Sequence, residues 1–205
     1  MMKEPITLAM TGASGAQYGL RLLQCLLQTG HEIYLLLSKP ARLVIDTETD
    51  LDLPSRRADI AKYLVARYGG VPGQLHLFGR EEWMAPPASG SARIAAMVVC
   101  PCTTATLSAL ANGASRSLIE RAADVMLKER RKLIVVPRET PLSSVHLRNM
   151  LTLSDAGAVV LPANPGFYHQ PASIDDLVDF VVARILDHLD VDHDVMPRWG
   201  APRER

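Results

Sequence analysis

Residues 11–16, Thr-Gly-Ala-Ser-Gly-Ala, follow an apolar run at 6–10 and precede an amphipathic stretch, and no other feature limits the fold of this chain as tightly. The order strand, glycine turn, helix start is a junction of an open α/β sheet. Such junctions lie at the carboxyl edge, where backbone N–H groups and the positive end of a helix dipole favour an anion or the polar edge of a ring. The ligand this implies is nucleotide-like. A dinucleotide site would show G-x-G-x-x-G and, about twenty positions on, an acidic residue at the end of the second strand. Here the glycines are Gly12, Gly15 and Gly19, and the second apolar run, 33–37, ends in Ser38-Lys39. A hydroxyl and a cation suit a single phosphate or a flavin edge better than the ribose of NAD, and Ser14 presents a further hydroxyl. On this motif alone the other reading, a turn that needs small residues for packing, stays open.

Apolar runs of strand length at 6–10, 32–37, 95–100, 132–136 and 158–161 alternate with segments of helical period at 15–28, 40–48, 59–68, 104–111, 117–131, 141–155 and 174–189. That alternation predicts βαβ units and a mainly parallel sheet. A further short strand is expected at 75–78 in an otherwise Gly- and Pro-rich stretch. With 205 residues the chain fits one domain, 1–189, followed by a tail at 190–205 whose Trp199 needs something to pack on. A neighbouring subunit is the expected support.

The 22 basic and 22 acidic residues cancel, so no global field draws the chain to nucleic acid or an acidic membrane. The cysteines, Cys25, Cys100 and Cys102, match neither a zinc knuckle nor a C-x-x-C redox site, and reduced thiols in a cytoplasmic protein are expected. No run approaches the roughly 18 apolar residues of a membrane span, and no signal peptide is expected. The six histidines are scattered, so no metal is inferred.

Three further junctions place polar groups just after a strand. In Cys100-Pro101-Cys102-Thr103-Thr104-Ala105-Thr106 the strand is expected to end at the proline, with Thr103 or Thr104 as N-cap. Capping explains one threonine and not three, although Thr106 can back-bond within its own helix. In Pro137-Arg138-Glu139-Thr140-Pro141 a helix is expected to open with Thr140 as N-cap and Pro141 at N1. Arg138 and Glu139 there are either a surface ion pair or, at a ligand edge, an anion ligand and a proton-transfer group. The loop Asn164 to His169 carries Phe167 and Tyr168; Tyr168 could reach a phosphate oxygen, and His169 receives no role. On the helix at 117–131, Arg121 and Lys128 share a face with Asp124 between them. Together with Lys39, Arg138 and Arg184 they exceed what one flavin phosphate needs, if they converge.

With Gly12 to Ala16, Ser38-Lys39, Pro101-Cys102-Thr103, the segment Arg121 to Arg131, Arg138 to Pro141 and Phe167-Tyr168-His169 in this order, nearly the whole chain resembles the flavin prenyltransferases of the UbiX type, formerly described as aromatic-acid decarboxylases of ubiquinone synthesis. The resemblance implies a Rossmann-like or flavodoxin-like three-layer α/β sandwich. It implies an enzyme that joins the dimethylallyl group of dimethylallyl phosphate to N5 and C6 of reduced FMN without a metal and delivers prenylated FMN to a UbiD-type decarboxylase. It also implies a homo-oligomer, typically a dodecamer. Carried over by position, Gly12, Ala13, Ser14, Ser38, Thr103, Thr104, Ala105, Thr106 and Arg138 are the FMN contacts. Ser89, Gly90, Arg121, Lys128, Glu139, Tyr168 and Arg184 form the prenyl-phosphate site, part of it from a neighbouring subunit. Glu139 protonates the leaving phosphate, Lys128 stabilises its charge, Ser14 assists proton movement, Glu48 lies near the prenyl group and Trp199 closes over the site. Thr103 stands where the family often has serine and keeps the hydroxyl. An oxidative decarboxylase acting on cysteine peptides should show an early catalytic histidine and an Asn-containing clamp. The sequence has only His31, in an expected loop, and no such clamp. A flavin carrier without chemistry would leave the surplus phosphate ligands unused.

Overall fold

Strands that are apolar on both sides can only be covered on both sides, and the β-branched and leucine-rich runs of this chain form such a sheet. In a computed structural model, which describes residues 3–197, the strands are β1 (Lys3–Met10), β2 (His31–Leu37), β3 (Leu75–Phe78), β4 (Ala96–Cys102), β5 (Lys132–Pro137) and β6 (Val159–Val160), all parallel, in the order β3-β2-β1-β4-β5-β6. The helices are α1 (Ala16–Gln28), α2 (Lys39–Glu48), α3 (Arg57–Tyr68), α4 (Thr104–Ala111), α5 (Leu118–Lys128), α6 (Ser144–Asp155) and α7 (Ile174–His188). On one face Leu22, Leu26, Ile45, Leu64, Val182 and Ile185 pack helices α1, α2, α3 and α7 against the sheet. On the other, Leu107, Ala122, Val125, Met126 and Leu153 do the same for α4, α5 and α6. This is the doubly wound three-layer α/β sandwich, with its reversal of strand order between β1 and β4.

The glycine turn is built for that reversal. Gly15 sits at φ +100°, a left-handed conformation that glycine adopts without a Cβ penalty. One turn on, a side chain at Gly19 would start 2.7 Å from Met10 Cε and closer still to the Cys100 carbonyl. The bare backbone there lets α1 seat directly on the reversal.

Several boundaries differ from expectation. Strand β4 does not end at Pro101; it runs on to Cys102, because the ladder to β5 shifts register between Val99 and Cys102, where the missing N–H does no harm. The Pro101 carbonyl is taken by Thr11, through both its N–H and its hydroxyl. Helix α6 opens three residues later than expected. Ser143, not Thr140, is its N-cap, because a reciprocal capping box between Ser143 and His146 satisfies two donors at once. His31 lies not in a loop but at the start of β2, where it is buried. Strand β6 is two residues long, where a strand at 158–161 is expected.

Helix α5 stops at Lys128 rather than Arg131. Arg130 adopts φ 55°, and the N–H groups of Arg130 and Arg131 bond back to the Leu127 and Met126 carbonyls, a Schellman closure. Past α7, Val191 is buried and Val195 packs on the first core, so the domain's own packing continues beyond Leu189. Trp199 lies outside the described residues.

Candidate active site

The carboxyl edge of the sheet gathers the polar groups, as strand-end junctions require. Thr11, at the end of β1, is buried and ties the reversal together: its hydroxyl donates to the Pro101 carbonyl at 2.8 Å and accepts the Thr103 N–H at 2.8 Å. Thr103 caps α4 by accepting the Thr106 N–H at 3.1 Å, and its hydroxyl donates to Thr106 Oγ1 at 3.0 Å. The third hydroxyl of that run is therefore tied to the cap, not to the helix carbonyls. Thr104 and Ala105 continue the first turn of α4. Ser38 caps α2 by accepting the Ala41 N–H at 3.0 Å.

Thr11, Ser38 and Thr106 open into one cavity of about 410 Å³ above β1, β2 and β3. Its walls are apolar, with Leu36, Ile60, Leu77, Phe78 and Leu118, and Lys39, Arg42, Arg57 and Arg80 line its charged part. Three helices begin here, α2, α4 and α5, the last capped by Ser117. Hydroxyls and helix N-termini beside an apolar slot suit a planar ring carrying one phosphate. Of the cations, sequence reading singled out Lys39 alone; Arg42, Arg57 and Arg80 come from α2, α3 and the loop after β3, which no strand-end motif marks.

Beside the cavity the glycine turn is already occupied. The Glu48 carboxylate accepts the N–H groups of Gly15 at 2.8 Å and Ala16 at 3.0 Å, so these donors serve α2's last residue and not an incoming anion. Burial pushes the Glu48 carboxyl up, but the Ser14 hydroxyl, these two N–H groups and the nearby Arg138 guanidinium outweigh it and hold it below the usual carboxylate range. Arg138 Nε donates to the Ser14 carbonyl at 3.1 Å. Arg138 thus spends its hydrogen bond on the turn instead of pairing with Glu139, and the surface ion pair considered from sequence is not what it forms. The Glu139 carboxylate accepts the N–H of Thr140 at 3.1 Å. Ala13 is buried, Ser14 is exposed, and Gly12 abuts Pro40 too closely for any side chain.

Because its folded pKa is depressed, Glu48 stabilises the fold above the ordinary carboxylate pKa, and that contribution disappears as pH falls through the folded value. Glu48→Gln should therefore lower stability at pH 7 by about 0.5–1 kcal/mol, the scale of a charge at a helix N-terminus. Urea titrations of the two proteins should converge at acidic pH.

The prenyl-phosphate residues expected from sequence fall into two groups. Ser89, Gly90, Arg121 and Lys128 come together: Arg121 Nε donates to the Ala88 carbonyl at 3.1 Å, and a Cβ at Gly90 would lie 2.9 Å from Lys128 Nζ. Arg121 also pairs with Asp124 at 2.8 Å, and Lys128 with Glu129. Tyr168 and Arg184 lie across the sheet. Tyr168 packs edge-on to Phe180 of α7, and Arg184 of α7 pairs with Asp187 at 2.6 Å. With α5 on one face and α7 on the other, the cations of a single chain do not converge on one point.

An all-parallel sheet with hydroxyls, helix N-termini and an arginine at its carboxyl edge is a frame for a nucleotide-like ligand, and the Flavoprotein family, which matches residues 1–186, makes the chain a flavoprotein. Within that class the chain belongs to the UbiX flavin prenyltransferases. The flavin prenyltransferase UbiX of Pseudomonas aeruginosa is 62% identical over 197 residues, 96% of this chain and 94% of that protein. That of Methanothermobacter thermautotrophicus is 45% identical over 194 residues, covering 95% and 94%. The crystal structure of AnUbiX (PadA1) in complex with FMN and dimethylallyl pyrophosphate superposes with a TM-score of 0.85 at 41% identity, over 98% of this chain and 100% of that one. A dodecameric FMN-dependent UbiX-like decarboxylase from Escherichia coli O157:H7 gives 0.83 at 39% identity, over 96% and 100%. The FMN binding protein AtHal3, at 17% identity and a TM-score of 0.59, shares the fold.

Proposed function

We propose that this chain transfers the dimethylallyl group of dimethylallyl phosphate to N5 and C6 of reduced FMN and passes prenylated FMN to a UbiD-type decarboxylase in the cytoplasm. The observation that carries the reading is the cavity fed by Thr11, Ser38 and Thr106 beside the Ser14–Glu48–Arg138 network. Its volume and its hydroxyls at helix N-termini fit FMN, with Gly12, Ala13, Ser14, Ser38, Arg138 and residues 103–106 as contacts. Reduced FMN would supply the nucleophile: N5 would give up its proton and bond the allylic carbon as the C–O bond to phosphate breaks, and C6 would then bond the tertiary carbon of the prenyl chain as the double bond gains a proton and C6 loses its own.

The protein's part is electrostatic and protonic. An allylic phosphate leaves slowly from neutral water, and Arg121, Lys128, Arg184 and the Tyr168 hydroxyl stabilise the charge that develops on it. Glu139, two residues past the end of β5, gives the departing phosphate its proton. Glu48 orients the Ser14 hydroxyl, which assists proton movement near N5. Since Arg121 and Lys128 are separated from Tyr168 and Arg184 by the sheet, one phosphate site draws on more than one chain. Val145, Leu147 and Leu151 on α6, all more than half exposed, and Phe167 at 69% exposure supply apolar surface for such an assembly.

Anaerobic incubation with reduced FMN and dimethylallyl phosphate, followed by mass analysis of the extracted flavin, tests the reading. A flavin heavier by one isoprenyl unit is expected. Unmodified flavin that remains bound, beside an active control enzyme, would make the chain a flavin carrier.

A further inference from the structure

We infer that Arg131 is a positioning residue for the prenyl-phosphate site, its guanidinium clamping the loop at residues 88–92 against Lys128. The inference rests on the reading that Ser89, Gly90, Arg121 and Lys128 receive the phosphate. The Schellman closure of α5 fixes the Arg131 backbone just beyond Lys128, with the Arg131 N–H on the Met126 carbonyl at 2.8 Å. From there the side chain forks: Nη2 donates to the Gly90 carbonyl at 2.7 Å and Nη1 to the Ala92 carbonyl at 2.5 Å. Arg121 holds the other end of the same loop through the Ala88 carbonyl.

The loop's own backbone bonds are few and local: the Ser89 N–H reaches the Pro86 carbonyl at 3.1 Å and the Ala92 N–H the Ser89 carbonyl at 3.3 Å. A short 3₁₀ turn at Pro86–Ala88 leads into it, Ser91 N–H and hydroxyl bond only to Ser89 Oγ, and Ser89, Ser91 and Arg93 are exposed. Two carbonyls two residues apart on one irregular loop are met together by a planar fork with fixed donor directions, which an ammonium group does not offer. The clamp also sets the distance to the cation. A Cβ at Gly90 would fall 2.9 Å from Lys128 Nζ and nearer still to the Glu129 carboxylate, so the loop backbone itself forms the wall beside the Lys128 ammonium. Arg131 thereby acts on the phosphate through Ser89, Gly90 and Lys128, without touching it.

In the assembled enzyme, Arg131→Ala should raise KM for dimethylallyl phosphate by about tenfold while kcat and FMN affinity change by less than about threefold, the pattern of lost substrate binding with chemistry intact. Millimolar guanidinium should recover part of the loss, and Arg131→Lys should fall between the two, which also secures the test if the alanine variant fails to fold. Lys128→Ala is measured alongside. A raised KM in Lys128→Ala with none in Arg131→Ala or Arg131→Lys would overturn the clamp and leave the phosphate site standing. An unchanged KM in Lys128→Ala would remove the phosphate reading and the clamp with it. Parallel loss of FMN affinity and thermal stability in the Arg131 variants would make Arg131 a support of the whole domain and also overturn the inference.

Discussion

Glu139→Gln is expected to lower the turnover of FMN prenylation by about 10²- to 10⁴-fold, the range for loss of a positioned general acid, while FMN affinity stays within about twofold. The residue lies two positions past the end of β5, at the carboxyl edge of the sheet, and its carboxylate accepts the N–H of Thr140. Glutamine has the same shape and keeps an oxygen for that N–H, so loop and fold should survive. What it lacks is a proton to give the departing phosphate. Arg138, whose side chain is anchored on the Ser14 carbonyl, is untouched by the change, and Ser38 and Thr106, the proposed flavin contacts that line the cavity, lie on other elements. Single-turnover measurement with preformed reduced FMN separates chemistry from binding. Full turnover in the variant would remove Glu139 from its role and shift attention to Ser14 and its partner Glu48.

The sequence was most legible where local chemistry and tertiary structure agree. Two-sided apolar runs announced the parallel strands, and the spacing of Gly12, Gly15 and Gly19 announced the turn at the reversal. Legibility failed where a rule had a local competitor. Pro101 reads as a strand stop, but a register shift absorbs its missing N–H and Thr11 takes its carbonyl. Thr140-Pro141 reads as a helix start, but Ser143 with His146 three residues on satisfies more donors. The glycine turn reads as an open anion site, yet Glu48, more than thirty residues away, fills it. Such long-range pairings leave no trace in spacing. Arg131 was hidden for the same reason: its partners are two backbone carbonyls about forty residues upstream, which carry no residue signature.

Two variants that are inactive alone, Arg121→Ala and Arg184→Ala, should form active enzyme when co-expressed as mixed oligomers. In one chain Arg121 lies on α5, packed on the face that holds Met126 and Leu107, while Arg184 lies ten residues into α7, packed on the face that holds Leu22 and Leu26. The sheet is buried between them, and neither side chain can cross a layer of close-packed apolar residues. If one site takes Arg121 from one protomer and Arg184 from another, random mixing in equal amounts leaves about one site in four with both arginines, the statistics of a site built across a heterologous interface. Activity near a quarter of the unsubstituted enzyme is therefore the expected result. Sites confined to single chains would give no recovery, because every chain in the mixture lacks one of the two cations. The same experiment with Arg121→Ala and Lys128→Ala supplies the internal contrast: both residues lie on α5 of one chain and face the same 88–92 loop, so these two variants should not complement each other. Recovery in the first mixture and none in the second would place the sheet itself, and not chain length or composition, as the reason this enzyme has to assemble in order to act.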